Sequence, residues 1–535
     1  MGVSGEAHSP VKKFEFYDWQ KSACSHIAGH SAVLSAPTGS GKTLCAYLWA
    51  GLLDWEGNVC RPESGRIIFT APIKALSNER YMDLRRMGLD VGIETGDFKR
   101  NEGAQVICCT QEIYTMKYAP IPDQRLIVDE FHYIFSDSDR ARTYIDGIRA
   151  THPDTPILVM SATLGGVKSV GNYLSEICRR EFVIHESRQR TTQLIYTPKR
   201  PAKRGNIHDA LVFLFSQKGA ASLAQDISCT RPEISSASRR RIEELAAILE
   251  VPRIAPSLLH GVGTYHGGMF PKEKLLVESA FRERLLDVVC GTNALALGVN
   301  LPAQTVVFAQ LVQYHHDEPI TKNEFLQMSG RAGRKGLFDP GYVTWLHRSP
   351  YEKRGVDTGK VFQALVNAPS EPAMVTLRPS YGRLLRKQVL LEAEAEYIAD
   401  YSLPAVNVRS VLRALEGGMR KIERVASRLV RGSDRKRFRS ILAEIWYDEM
   451  EVDENLEMAL LFFEEPEPSA LMAAQMVMPY ERNYLQSLLK VKRFANQLPR
   501  GRRLRAMDEL NRTVDEIDPT IYGFEEKLGE IETSR

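Results

Sequence analysis

A glycine-rich turn near the N-terminus is the first segment whose residue types and spacing could do chemistry. An apolar run at 32–36 precedes Pro37-Thr38-Gly39-Ser40-Gly41-Lys42-Thr43, and an apolar helical segment, LCAYLWAGLL, follows it. Glycines let backbone N–H groups turn toward phosphate oxygens, and the start of the next helix adds positive potential. We expect Lys42 to reach the β- and γ-phosphates of a nucleotide and Thr43 to ligate Mg²⁺. The predicted phosphate-binding residues are Thr38, Gly39, Ser40, Gly41, Lys42 and Thr43.

A pair of carboxylates follows another apolar run. Residues 125–129 are predicted to form a strand that ends in Asp129, and Glu130 comes next. An aspartate at a strand terminus can hold Mg²⁺ through water, while the adjacent glutamate polarises an attacking water. By itself such a pair is common on protein surfaces, but together with the glycine-rich turn it indicates a nucleoside triphosphatase. Thr43 and Asp129 are therefore the predicted Mg²⁺ ligands, and Glu130 is the predicted general base.

The elements that would position these residues alternate between strand and helix. Apolar strands are predicted at 32–36, 66–71, 105–109, 125–129 and 157–160, then at 211–215, 287–290, 305–309 and 342–346. Such alternation implies parallel sheets covered on both faces. The predicted fold class is α/β, with two tandem parallel-sheet domains joined near 186–206, a polar segment that contains proline. After about residue 350 the pattern becomes helical, as the apolar spacing over 411–429 shows.

The composition is that of a folded globular protein with several domains. The 535 residues carry a net charge of +3 and are 43% hydrophobic and 26% charged. So small a net charge neither favours nor excludes nucleic acid as a partner. The eight cysteines form no C-x-x-C pair, so we expect reduced thiols. Because the sequence has no signal core and no membrane-length apolar stretch, we expect a cytoplasmic protein without membrane contact.

Short motifs follow one another in a fixed order along the chain. They are TAPIKALSN at 70–78, ETGD at 94–97, CTQEI at 109–113, DEFH at 129–132, MSATL at 160–164, YHGGM at 265–269, GTNALALGVNLP at 291–302 and QMSGRAGR at 327–334. The glycine-rich turn has Ala36 where the strict phosphate-binding pattern has glycine, which gives the A-x-x-G-x-G-K-T form of that pattern. Together with this turn, the motifs resemble those of superfamily 2 DExH-box helicases. Within that superfamily the chain resembles the Ski-type, exosome-associated RNA helicases and their compact bacterial relatives. The resemblance covers residues 14–405 and implies two RecA-like motor domains that bind ATP between them.

The resemblance also assigns roles around the nucleotide. Phe14 would stack on the adenine, and the Gln20 amide would recognise the edge of the base. Arg331 and Arg334, three apart on an expected helix, would stabilise charge on the transferring phosphoryl group. Gln327, one turn earlier, would help to orient the attacking water. Further implied residues are Gly298 and Asn300 at the nucleotide, and His132, Ser161 and Thr163, which would couple it to the nucleic acid.

Nucleic acid is expected to bind along one channel, mainly through backbone amides and hydroxyls. A motor must tolerate any sequence, and phosphate contacts position a strand without specifying it. By resemblance the contacts are Pro72, Lys74, Thr110 and Gln111 in the first motor domain, with His266, Gly267 and Thr292 in the second. The chain departs from the family pattern at Asp18, where a proline is usual, and at Ala294, where relatives commonly have a hydroxyl.

The chain is predicted to have four parts. They are a RecA-like ATP-binding domain at 1–190, a RecA-like helicase C-terminal domain at 191–352, a winged-helix-like domain at 353–415 and a helical domain at 416–535. Exosome-associated relatives carry a long stalked insertion that the short C-terminal third cannot hold. Its helical region remains a candidate site for a protein partner. The arginines at 420, 424, 428 and 431, and those following a predicted helix at 484–498, either line a single-strand channel or form a solvated face.

The resemblance implies an ATP-dependent helicase that moves 3′ to 5′ on single-stranded nucleic acid, with RNA favoured over DNA. One alternative is a DNA helicase in repair or defence, because contacts to the 2′-hydroxyl cannot be read from motifs that both groups share. Another alternative is an ATP-dependent clamp or ribonucleoprotein remodeller without processive unwinding, which the short C-terminal region favours.

Overall fold

The computed structural model describes most of the chain from Phe14 to Trp446. The described residues are 14–446, 455, 456 and 459, with gaps at 63–64, 73, 96–98, 136–137, 163, 250, 252, 270, 297–300, 302, 314–317, 387–388, 430–431 and 433. The predicted helix at 484–498 and the arginines that follow it lie outside the described residues. The described residues form two compact units, each built from separate segments of the chain. The first contains residues up to His132, Gly147–Leu211 and Ala296–Pro372, and the second contains Tyr133–Asp146, Val212–Leu295 and the residues from Ala373 onward.

Strands and helices alternate through most of the described chain. The strands are β1 Ala32–Ser35, β2 Arg66–Ala71, β3 Val91–Glu94, β4 Lys99–Arg100, β5 Val106–Thr110, β6 Gln124–Val128, β7 Ile157–Ser161, β8 Val183–Glu186, β9 Leu194–Tyr196, β10 Ala210–Phe213, β11 Val262–Tyr265, β12 Val288–Gly291, β13 Thr305–Phe308 and β14 Gly341–Trp345. The helices are α1 Asp18–Ile27, α2 Lys42–Ala50, α3 Lys74–Arg86, α4 Gln111–Ile113, α5 Ser138–Ala150, α6 Val167–Cys178, α7 Gln217–Ser228, α8 Ser236–Ile248, α9 Pro271–Arg282, α10 Lys322–Ser329, α11 Thr358–Asn367, α12 Tyr381–Leu385, α13 Leu391–Tyr401, α14 Val408–Leu429 and α15 Asp434–Ile445.

The first sheet lies wholly in the first unit and has the strand order β4-β3-β5-β2-β6-β7-β1-β8. Its neighbouring strands are parallel except for β3 and β4, which pair antiparallel. Strands β1, β5 and β7 are buried along their whole length, as expected for a parallel sheet covered on both faces. Because parallel strands end at one edge, the segments that follow β1, β6 and β7 are brought together there.

The second sheet has the strand order β11-β12-β10-β13-β14-β9. The pairs β11–β12, β13–β14 and β14–β9 are parallel. In the first unit Phe308 stacks on Phe325 of α10 with 4.9 Å between ring centroids, and Phe362 of α11 packs on the same ring. The two parallel-sheet α/β domains confirm the predicted fold class. The four predicted domain boundaries remain a prediction.

Helices α12 to α15 form a helical C-terminal region within the second unit. The apolar spacing predicted over 411–429 is confirmed by α14, which buries Leu415, Ile422 and Ala426 in a core shared with Phe438. The opposite face of α14 exposes Arg420, Arg424 and Arg428, whereas Arg431 lies outside the described residues. The helical C-terminal region is therefore confirmed, while its winged-helix character remains a prediction.

A buried ion pair in the second unit ties α5 to α13. Arg142 Nη2 donates to Glu394 Oε2 at 3.0 Å, and its other terminal nitrogen also contacts this carboxylate. The Glu394 side chain is 1% exposed and accepts a further bond from the Ser380 N–H. The Arg142 guanidinium also lies 4.7 Å from the Tyr397 ring centroid. Removing Arg142 would therefore leave the buried Glu394 charge uncompensated, and removing Glu394 would leave Arg142 with only the more distant Asp146 carboxylate, 3.8 Å from its Nε.

Glu394→Ala is expected to lower the free energy of unfolding of the second unit by about 3–5 kcal/mol, because Arg142 would stay buried without its carboxylate. Urea unfolding of the full chain, followed by circular dichroism, measures the effect. Glu396→Ala removes an exposed carboxylate from the same helix and is the matched control. Equal unfolding midpoints for the two variants would show that the ion pair does not stabilise this unit.

The described helices include none that is both long enough and apolar enough to cross a membrane.

Candidate nucleotide-binding site

The glycine-rich loop connects β1 to α2, as predicted. Gly39 and Gly41 have φ values of 76° and 89°, in the left-handed region that favours glycine. A Cβ atom on Gly41 would also lie only 2.6 Å from Gln20 Nε2. Both glycines are therefore required by the path of the loop, which leads directly into α2 at Lys42.

The Lys42 side chain is buried within the loop. Its Nζ donates to the carbonyl oxygens of Ala36 and Pro37 at 2.8 and 3.2 Å. Burial lowers the pKa of Lys42, although the nearby carboxylates Glu130 and Asp129 oppose that shift. The Ser40 hydroxyl beside it is buried and has no hydrogen-bond partner within the described structure. A buried ammonium and an unsatisfied hydroxyl in a loop of this shape fit the phosphates of a nucleotide.

The two predicted carboxylates follow β6, two strands away from the glycine-rich loop in the sheet. Asp129 Oδ2 accepts from Arg80 Nη2 at 3.1 Å, and its Oδ1 accepts from the Glu130 N–H at 2.9 Å. Glu130 has a φ of 49°, which is uncommon for a residue other than glycine. Burial raises the pKa of the Glu130 carboxyl, but the nearby groups His132, Lys42, Arg331 and Arg80 lower it by more. The net shift of this pKa is downward. Glu130 is therefore ionised at neutral pH and able to accept a hydrogen bond from water.

His132 connects the carboxylates with two other predicted motifs. Its Nδ1 accepts from the Ala162 N–H at 3.2 Å, and its Nε2 lies 3.3 Å from Gln327 Nε2. Burial lowers the pKa of His132, although the nearby Glu130 carboxylate opposes that shift, and a lowered pKa favours the neutral ring. The structure thus places the predicted coupling residue His132 against the predicted water-orienting residue Gln327.

The other predicted coupling residues lie at the end of β7. The Ser161 carbonyl accepts from the Ala36 N–H at 3.2 Å, at the start of the glycine-rich loop. The Ser161 hydroxyl is buried and has no partner in the part of the chain that the structure describes. Thr163 lies outside the described residues, so its predicted role is not tested.

The expected helix through Arg331 and Arg334 is wrong. Helix α10 ends at Ser329, and Gly333 has a φ of 78° that reverses the chain. Arg334 is exposed in a tight turn, where its N–H donates to the Phe338 carbonyl at 2.8 Å. Gly330 is the residue that caps α10, before the first arginine, and Gly333 then turns the chain with its left-handed backbone.

Arg331 lies close to the glycine-rich loop and the carboxylates. Its guanidinium donates to the Ala296 carbonyl, and its charge acts on Lys42, Glu130 and His132. A Cβ atom on Gly330 would lie 2.9 Å from the Thr38 Cβ, so glycine is needed for this approach. Gly298 and Asn300, also predicted at the nucleotide, lie outside the described residues.

The predicted adenine-recognition residues lie near the start of α1. Gln20 is fully buried, and its amide is bonded within the protein at both ends. Its Nε2 donates to the Gly41 carbonyl at 2.9 Å, and its Oε1 accepts from the Tyr17 N–H at 2.8 Å. Phe14 is half-buried, and its N–H donates to the Gly57 carbonyl at 3.1 Å. Gln20 therefore joins α1 to the glycine-rich loop, while base recognition by Phe14 and Gln20 remains a prediction.

In the first unit, predicted nucleic-acid contacts lie at the ends of neighbouring strands. Pro72 follows β2 and Thr110 ends β5, and Ala71 lies opposite Thr110 in the parallel register. Gln111 is fully buried, and neither of its amide atoms has a partner among the described residues. A nucleic-acid strand that contacts Gln111 in this conformation would therefore contact its backbone and not its side chain. Lys74 begins α3, and its side chain lies outside the described part.

In the second unit, the predicted contacts also lie at the ends of adjacent strands. Tyr265 at the end of β11 lies opposite Gly291 at the end of β12, so His266 and Thr292 follow side by side. Burial lowers the pKa of His266 to about 4, and its Nδ1 has no partner within the described structure. The Gly267 carbonyl faces Lys274 Nζ at 3.5 Å. A neutral imidazole and a strand-end hydroxyl can both bond to a phosphate oxygen.

Comparison with known families agrees with this arrangement. The model for the DEAD/DEAH box helicases matches residues 17–170, and the model for the helicase conserved C-terminal domain matches residues 206–336. The chain belongs to the DExH-type helicases of superfamily 2. The predicted family is thereby confirmed.

Several curated helicases are similar to this helicase chain in sequence. A probable helicase HelY of Mycobacterium tuberculosis is 27% identical over 512 residues, which cover 79% of this chain and 55% of that protein. The exosome RNA helicase MTR4 of Homo sapiens is 24% identical, over 72% of this chain and 43% of that protein. The chain thus spans about half the length of the curated relatives it matches.

A solved structure supports the fold of the helicase. The crystal structure of the DUF1998 helicase MrfA bound to DNA has a TM-score of 0.50 and 18% identity, over 69% of this chain and 54% of that chain. At this identity the likeness concerns the fold alone.

Arg80 is a residue of the helicase site that no local sequence pattern predicts. It is bonded to Asp129 and donates from Nη1 to the Tyr47 hydroxyl at 3.1 Å. Arg80 therefore holds the Asp129 carboxylate in place from α3. The nearest signal in the sequence is the TAPIKALSN motif, which starts the helix that carries Arg80.

Proposed function

We propose that this helicase chain is an ATP-driven motor that moves on single-stranded nucleic acid and separates or remodels its strands. The observation that carries the proposal is that Glu130 and Arg331 lie within electrostatic reach of the buried Lys42, while Gln327 lies beside His132, all in the first unit. A phosphate-binding lysine, an ionised carboxylate and an arginine are the groups that hydrolysis of a nucleoside triphosphate needs.

Each residue of the site has a defined task in this proposal. Lys42 would leave the carbonyls that it now caps and bind the β- and γ-phosphates. Glu130 would accept a hydrogen bond, and then the proton, from the attacking water, while Gln327 helps to orient that water. Arg331 would stabilise the negative charge that develops on the transferring phosphoryl group.

The residues also fit a magnesium ion. Oxygen ligands are the ones that Mg²⁺ prefers, and the Thr43 hydroxyl and the Asp129 carboxylate supply them. When bound, the ion would neutralise phosphate charge in the ground and transition states. Arg80 would keep Asp129 oriented for that task, because it holds Oδ2 at 3.1 Å.

The nucleic acid would contact the strand ends at Pro72 and Thr110 in the first unit. In the second unit it would contact those at His266 and Thr292. RNA is the favoured substrate because relatives such as human MTR4 are named RNA helicases. Movement 3′ to 5′ is what the resemblance of the sequence motifs to this family implies. The C-terminal helical region, with its exposed arginines on α14, would take nucleic acid or a protein partner.

Single-stranded RNA is expected to raise the rate of ATP hydrolysis severalfold, and more than single-stranded DNA of the same sequence. Phosphate release measured with each polymer tests this, and duplexes with a 3′ or a 5′ tail test strand separation and its direction. Stronger stimulation by DNA would assign the motor to DNA. Stimulation without strand separation would assign it to a clamp or remodeller, and no stimulation by either polymer would contradict the whole proposal.

A further inference from the structure

The segment that links β8 to β9 lies against the glycine-rich loop. We call residues 187–192 the linker segment. At its start the Ser187 N–H donates to the Ser35 carbonyl at 2.8 Å, at the end of β1. Further along, the Thr191 hydroxyl donates to the Gly39 carbonyl at 2.8 Å. The linker segment is therefore bonded to the last residue of β1 and to the middle of the turn that precedes α2.

Arg190 lies between those two contacts and extends its side chain toward the same loop. Its Nη2 donates to the carbonyl oxygens of Gly330 and Ala332 at 3.2 and 3.4 Å. A Cβ atom on Gly39 would lie 3.5 Å from this nitrogen, so the guanidinium lies beside the loop. The Arg190 Nε is buried and has no hydrogen-bond partner in the described structure.

No carboxylate among the described residues forms an ion pair with Arg190. Its positive charge acts on Lys42, as does the charge of Arg331. The carboxylates of this cluster are Asp129 and Glu130, and Arg80 already binds Asp129. Among the described residues, the two cations Lys42 and Arg190 beside the loop therefore outnumber the one carboxylate that Arg80 leaves unbonded, Glu130. Because a buried charge without a counter-charge is costly, such a cluster is built to receive an anion.

We propose that Arg190 is a nucleotide-binding residue, and that its guanidinium binds the phosphates of the nucleoside triphosphate held by the glycine-rich loop. The inference rests on the proposed ATP-binding function. A guanidinium has five N–H donors in a planar fork, so Arg190 can keep its bonds to Gly330 and Ala332 while it donates to a phosphate oxygen. The linker segment would then contact the nucleotide directly. The Arg190 side chain would connect the nucleotide to residues 330–332, which follow α10.

Arg190→Gln is expected to weaken ATP binding by about 10- to 100-fold, since it removes a charged hydrogen bond to phosphate. Arg190→Lys, which keeps the charge, is expected to retain most of the affinity. Equilibrium titration of the full chain with a fluorescent ATP analogue measures both. Arg188→Gln is the matched control, because that side chain is 87% exposed two positions earlier on the same segment.

The glutamine and lysine variants separate a phosphate contact from a merely structural role. Glutamine keeps an N–H donor for the Gly330 carbonyl but has no charge. Normal affinity in Arg190→Gln, or equal losses in Arg190→Gln and Arg190→Lys, would therefore overturn the proposal. The proposal would also be overturned if, across the variants, the loss of affinity matched the decrease in the thermal unfolding midpoint measured without nucleotide. Failure of the unsubstituted chain to bind the analogue would instead contradict the proposed ATP-binding function.

Discussion

Glu130→Gln should lower the rate of ATP hydrolysis by about 10²- to 10⁴-fold while ATP binding is retained. Glutamine has nearly the same shape as glutamate and fits the left-handed backbone at this position no worse. It cannot accept a proton from water, however, and it lacks the charge that the surrounding cations stabilise. The expected defect is therefore in the chemical step. Phosphate release and titration with a fluorescent ATP analogue measure hydrolysis and binding separately.

Two further variants serve as controls for this prediction. Glu176→Gln changes an exposed glutamate on α6 and is expected to leave both quantities unchanged. Lys42→Ala removes the phosphate-binding ammonium and should weaken binding as well as hydrolysis, which distinguishes the loop from the base. Turnover at the normal rate in Glu130→Gln would show that another group activates the water.

The predictable part of the fold is its buried parallel strands. Strands β1, β2, β6 and β7 were expected from continuous apolar runs, and their observed bounds agree closely with those runs. Such runs occur because both faces of a central strand are covered. By contrast β8, Val183–Glu186, is only partly buried and ends in a charged residue. The strands β3, β4, β9 and β11 are also short, and their apolar runs are too brief to be predicted, even though β3 is fully buried.

The predictable part of the site is what lies within one short motif. The glycine-rich loop and the Asp129-Glu130 pair each combine a strand end with a fixed order of side chains, so local sequence is sufficient. Arg80 and Arg190 have no such signal. The bond from Arg80 to Asp129 spans 49 positions, and the bond from Arg190 to Gly330 spans 140. Those contacts depend on the order of strands in the sheets.

Local sequence also misleads where glycines interrupt an apparent helix. The spacing of Arg331 and Arg334 fits one helical face, but Gly330 and Gly333 end the helix and turn the chain. A similar limit applies to the packing of α5, whose Arg142 is 252 positions away from its partner Glu394. Nothing in either segment alone indicates that pair, because both residues are ordinary charged positions on amphipathic helices.

Arg331→Ala should lower the rate of ATP hydrolysis by about 10³-fold or more, with a smaller effect on ATP binding. The Arg331 guanidinium lies within the electrostatic reach of Lys42 and Glu130, the residues proposed to bind the phosphates and to activate the water. An arginine there stabilises charge that is greatest in the transition state, so its loss acts on turnover more than on affinity.

Single-turnover hydrolysis in the presence of the nucleic acid measures this effect, because it isolates the chemical step from product release. Arg354→Ala, which removes an exposed arginine of the same unit, is the control and should hydrolyse ATP normally. The family resemblance predicts the same kind of defect for Arg334→Ala, although Arg334 is exposed in this structure. A normal rate in Arg334→Ala would remove it from the site, whereas a normal rate in Arg331→Ala would contradict the assignment of the whole arginine motif to catalysis.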